Sequence, residues 1–103
     1  MIRHLVLLRL RPDLAPGELD ALMAALDGLR ATLPGMAAFR PLANVSPEEP
    51  VIHGFRHGFV VDFTDAAARD AYLADPTHKA IGARLVAACE GGVEGLLVFD
   101  HDL

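Results

Sequence analysis

Residues 55–65 read Phe55-Arg56-His57-Gly58-Phe59-Val60-Val61-Asp62-Phe63-Thr64-Asp65, and the fold turns on this stretch. His57, Phe59, Val61 and Phe63 share one parity, while Gly58 and Val60 fall on the other. Branched and aromatic residues at this density mark a strand from Phe55 to Phe63. Thr64 then suits a helix N-cap and Asp65 an acidic first turn, so a helix follows directly.

Working outward, Ile2-Arg3-His4-Leu5-Val6-Leu7-Leu8-Arg9-Leu10 reads as an earlier strand that ends at Arg11-Pro12-Asp13. Pro16-Gly17-Glu18 opens a helix in which Leu19, Leu22, Met23, Leu26, Leu29 and Leu33 keep the spacing of one apolar face. Pro34-Gly35 stops it. Met36 to Val45 is a weaker strand, which Pro41 demotes to an edge. Ser46 to Pro50 reads as an exposed loop, and Val93 to His101 as the last strand. The order is βαββαβ: an α+β, ferredoxin-like plan with a four-stranded antiparallel sheet and helices on one face. Residues 1–103 are expected to form one domain.

The second helical segment contains Ala71-Tyr72-Leu73-Ala74-Asp75-Pro76-Thr77-His78. Six residues of unbroken helix turn about 600°, which would set Tyr72 and His78 apart. Pro76 cannot extend the hydrogen-bond ladder, so the helix breaks and the two rings can converge. Asp75 suits an N-cap and Pro76 the first position of a new helix, which runs to about Glu90 before Gly91-Gly92. His78 then lies in a first turn, where the helix dipole disfavours the imidazolium. A neutral imidazole beside a phenol can serve as an acid/base pair, and it is also a common structural pairing.

Both parities of three strands are apolar: His4, Val6 and Leu8 against Leu5 and Leu7, Phe59, Val61 and Phe63 against Gly58 and Val60, and Leu97 and Phe99 against Leu96 and Val98. Two helices cover one sheet face only, so the other is expected to bury itself against a second copy, giving a homodimeric α+β barrel. An apolar content of 52% and a mean hydropathy of +0.32 agree with that extra burial. The net charge of −5 without a basic cluster argues against nucleic acid, and no apolar run approaches the roughly 20 residues of a membrane span. The single Cys89 can form no internal disulfide, which fits a cytoplasmic location and a buried small side chain.

In this order and spacing the chain resembles the stress-responsive A/B barrel domain (Dabb) family. The resemblance rests on Ile2-Arg3-His4-Leu5-Val6, Leu33-Pro34-Gly35-Met36, Asn44-Val45-Ser46, Gly54 to Phe63, Tyr72 with Pro76-Thr77-His78, and Leu97-Val98-Phe99-Asp100. It implies a dimeric barrel and a chemistry like that of a plant polyketide cyclase, an intramolecular aldol condensation without metal or organic cofactor. It also implies His78 as general base and Tyr72 as the phenol that orients or polarises a carbonyl, with His4 and His57 in support. The family's pocket also draws aromatic residues from the first helix, where this chain has Leu22, Met23 and Leu26.

The residues themselves allow a small-molecule site in which His4 and His57 face Tyr72 and His78, walled by Val6, Leu8, Phe59 and Leu26. The ligand would be small, apolar or carbonyl-containing, and the chemistry cofactor-free aldol, cyclase or isomerase chemistry. Two alternatives stand beside it: a non-catalytic stress-response or structural dimer, in which these polar groups satisfy one another, and a cofactor-free monooxygenase. Other candidates are weaker. His53 and His57 lack a third metal ligand, so no metal is expected. Asp100, His101 and Asp102 read as a solvated strand end, and Glu48-Glu49 as a solvated loop. Ser46 lacks the surroundings of a nucleophile elbow.

Overall fold

The computed structural model describes residues 1–103. Its elements are β1 (Ile2–Leu8), α1 (Glu18–Gly28), β2 (Met36–Ala43), α2 (Glu49–Ile52), β3 (His57–Phe63), α3 (Ala66–Ala74), α4 (Pro76–Ala88) and β4 (Leu96–Asp102). The strands form one antiparallel sheet in the order β2-β3-β1-β4. This is the ferredoxin-like α+β arrangement expected from the sequence. Pro41 does lie on an edge strand, and β2 carries an irregularity between Met36 and Ala38. No helix is long and apolar enough to cross a membrane.

Local chemistry moves several expected boundaries. The cap of α3 is Asp65, not Thr64: Asp65 is extended and its carboxylate accepts the Ala68 amide at 2.8 Å. α1 ends at Gly28 and tightens into a 3-10 turn over Leu29–Ala31 instead of continuing to Leu33. The loop expected over residues 46–50 gives way to a single helical turn at Glu49–Ile52. β3 begins at His57 and β4 at Leu96, both later than the apolar pattern suggested. A second 3-10 turn, Gly92–Gly95, occupies the run-in to β4.

Alternation in the strands sorts residues onto two faces. His4, Val6, Leu8, Phe59, Val61 and Phe63 point towards the helices and are buried, meeting Leu22, Met23 and Leu26 of α1, Tyr72 of α3, and Ile81 and Leu85 of α4. The opposite face is open. Leu97 and Phe99 there are 44% and 56% exposed, on the strand beside Leu5 and Leu7.

Candidate functional site

The break between α3 and α4 forms as local rules demand. Asp75 is extended, Pro76 is the first residue of α4, and the Asp75 carboxylate accepts the His78 backbone N–H at 2.9 Å. The turn brings the Tyr72 and His78 ring centroids within 3.9 Å. Tyr72 is fully buried, packed at 5.0 Å on Phe63 and edge-on to His4 at 5.8 Å. Three of the four expected polar residues therefore come together.

His57 does not join them. His4 pairs with Val61, while His57 pairs with Leu8, four residues along β3. At about 3.3 Å per residue this puts His57 roughly 13 Å away. It lines a separate cleft of about 380 Å³ with Asp20 and Met23 of α1 and Leu42 of β2. His57 shares the sheet face of His4, but its position along the strand separates the two histidines. Leu8 and Leu26, expected on the wall of the site, are wholly buried core residues and line neither cavity. His53 is off the strand altogether, in a left-handed turn after α2.

The site instead gains Asp100 and Arg69. β1 and β4 pair so that His4 lies opposite Asp100. The Asp100 carboxylate accepts a 2.7 Å hydrogen bond from His4 Nδ1 and a 3.1 Å bond from the Arg69 guanidinium of α3. A carboxylate only accepts, so His4 carries its proton on Nδ1 and leaves Nε2 as the free ring nitrogen. The expectation of a solvated strand end is thus corrected for Asp100, which is part of an ordered Arg69–Asp100–His4 chain. Ninety-six residues separate His4 from Asp100, so only the strand pairing could reveal the contact.

A cavity of about 330 Å³ opens beside this cluster. Its polar lining is His4, His78 and Asp100, and its apolar lining includes Val6, Phe59, Leu73, Leu85 and Val98. Tyr72 sits behind this wall and is not on it. Two buried polar atoms here, Tyr72 Oη and His78 Nδ1, have no hydrogen-bond partner. Burial holds the His78 imidazole below its usual range, helped by the neighbouring His4 and opposed by the Asp75 carboxylate. Burial also pushes the Tyr72 phenol well up, so it stays protonated. The result is a neutral imidazole able to take a proton, next to a phenol that keeps its own. Cys89, elsewhere, is buried with its thiol pushed up, which suits an inert core residue.

Residues 2–102 match the family model described as the stress responsive A/B barrel domain. Among solved structures, a dimeric ferredoxin-like protein of unknown function from Jannaschia sp. CCS1 is 40% identical. The match covers 99% of this chain and 98% of that one, with a TM-score of 0.85. A hydroxynitrile lyase from Passiflora edulis is 20% identical over 99% of this chain and 92% of its own, with a TM-score of 0.83. SnoaB, a cofactor-independent oxygenase from Streptomyces nogalater, is 16% identical over 99% and 91%, with a TM-score of 0.75. The last two share the fold. No curated protein matches the chain.

Proposed function

We propose, for a chain that belongs to the stress responsive A/B barrel domain family, that the cavity beside His78 binds a small apolar compound bearing a carbonyl group. There His78 performs cofactor-free proton abstraction of the aldol, cyclase or isomerase kind. One observation carries this reading: His78, on the wall of an apolar cavity, has a buried and unpartnered Nδ1, with the equally unpartnered Tyr72 Oη on the ring packed behind it. A buried polar atom left without a partner costs about 1–3 kcal/mol, and groups held that way in a native fold call for a reason. In the structural alternative these groups would satisfy one another around a filled core. The unpartnered atoms and the 330 Å³ of space favour the ligand site.

In the mechanism, a neutral His78 takes the proton α to the carbonyl. The wall's other imidazole, His4, is held through its Nδ1–H by Asp100, which fixes its ring at the same cavity. Tyr72 stacks on His78 and fixes its ring plane from behind. The chemistry is kept to acid/base steps because the lining offers imidazoles and a carboxylate and little else that is polar.

The working unit we propose is a symmetric homodimer closed through the open sheet face. The exposed Leu97 and Phe99, and the dimeric description of the 40%-identical relative, support it. Residues 1–103 act as one domain in each copy, and the unpaired Cys89 agrees with a cytoplasmic setting.

The test is hydrogen–deuterium exchange at the α-carbon of a panel of aryl and alkyl ketones in D₂O, followed by proton NMR. Wild-type protein is expected to accelerate exchange for some members and His78→Ala to lose that acceleration. Equal rates for the two proteins, with both folded, sink the enzymatic reading.

A further inference from the structure

Gly82 lies in the middle of α4 (Pro76–Ala88), where glycine costs helix stability relative to alanine. Glycine inside a helix usually answers a need: a close backbone approach, a kink or a positive φ. None applies here. A Cβ built on Gly82 meets no atom within 4 Å, the helix continues through it, and its φ is not among the positive ones. Gly35, Gly58 and Gly95 differ, since a Cβ at each would strike a neighbour. What Gly82 does touch is the cavity, whose wall it forms with His78, Leu85 and Val86.

These positions share one side of α4, because His78, Gly82, Leu85 and Val86 stand at i, i+4, i+7 and i+8. At 1.5 Å per residue, Gly82 lies about 6 Å along the helix from His78, and Val86 about 6 Å further. The cavity is therefore polar at the His78 end and apolar towards Val86, with Leu73 and Val98 flanking it.

We propose that Gly82 is the size-selecting position of this cavity. Its missing side chain leaves room for the apolar body of a ligand whose carbonyl sits at His78, so the substrate is an uncharged carbonyl compound with an elongated apolar substituent. This rests on the ligand-site reading given above. The distribution of charge agrees with an uncharged occupant. Asp100 is the one charged group on the cavity wall, and the nearby Arg69 is already held between Asp70 and Asp100. A phosphate or carboxylate would meet a carboxylate there without a free guanidinium to offset it.

The probes are acetophenone and its 4-ethyl, 4-butyl and 4-hexyl derivatives, with binding measured by ligand-observed NMR titration against wild type, Gly82→Ala and Gly82→Val. Wild type is expected to bind the 4-butyl compound more tightly than acetophenone. Gly82→Val should weaken the 4-butyl compound about tenfold while changing acetophenone less than about threefold, since overpacking penalises only the group that needs the space. Gly82→Ala should raise the thermal midpoint by roughly 4 °C while shortening the longest chain accepted. That combination separates a ligand cost from a folding defect. Equal affinities across the series in all three proteins overturn the role of Gly82 and leave the ligand site standing. No binding of any probe by wild type overturns both. Tighter binding of 4-carboxyacetophenone than of the 4-butyl compound overturns the uncharged substrate class alone.

Discussion

The ring of Tyr72 lies 3.9 Å from that of His78, yet neither Tyr72 Oη nor His78 Nδ1 forms a hydrogen bond. The rings meet at an interplanar angle of 40°, so the phenol packs against the imidazole without engaging its Nδ1.

Tyr72→Phe removes a buried hydroxyl that has no partner. The expected result is a gain of about 1 kcal/mol in stability, since only the cost of burying the group is lost. Urea unfolding followed by circular dichroism measures it. A loss of more than 1 kcal/mol would mean that the hydroxyl is hydrogen-bonded in solution.

His78→Ala should lower turnover of any exchanged ketone by roughly 100- to 10,000-fold, the usual worth of a positioned general base. The fold should survive, because His78 is only half-buried and its structural contact, the Asp75 cap, uses the backbone. Near-wild-type rates would assign the base elsewhere.

The pH dependence follows from the same residue. Burial and His4 hold His78 below its ordinary 6.5, so its active, neutral form persists on the acid side of that value. Activity should be flat through neutrality and fall only as pH drops below 6.5, through the folded-state pKa. Stability carries the same sign: the unfolded chain takes up this proton first, so His78 contributes nothing adverse above pH 6.5 and destabilises below it. NMR titration of the ring checks the value, and His78→Gln should flatten both profiles.

Asp100→Ala cuts the hydrogen bonds to His4 and Arg69 together. The acceptor is partly shielded, so a loss of about 1–3 kcal/mol is expected. The His4 ring should also become mobile, visible as broadened imidazole resonances. A stability change below about 0.5 kcal/mol, the size of an ordinary surface substitution, would show that the chain is not formed in solution.

Phe99→Asp places a charge on the open sheet face, away from the core. The wild type is expected to sediment at twice 11.0 kDa and the variant at 11.0 kDa, with an intact far-ultraviolet spectrum. A variant that stays dimeric would move the interface to another surface.

The amino-acid sequence by itself determined whatever depends on near neighbours or on alternation. Asp75-Pro76 dictates the helix break because cap and imide act within four residues of themselves. Strand alternation places His4, Val6, Leu8 and Phe59 on the helix side and leaves Leu97 and Phe99 open, because a pleated strand has only two faces. At Thr64-Asp65 two adjacent residues could each cap α3, and the cap is Asp65, whose carboxylate accepts the Ala68 amide. Position along a strand is a different matter, since it depends on a partner strand far away in the chain. Only tertiary pairing sets His4 against Asp100 and carries His57 off to a second cleft. Only helix-on-sheet packing leaves space over Gly82 and seals Leu26 into the core. The residues that carry a proton were therefore legible as types in the sequence, whereas their grouping came from registers that no local rule contains.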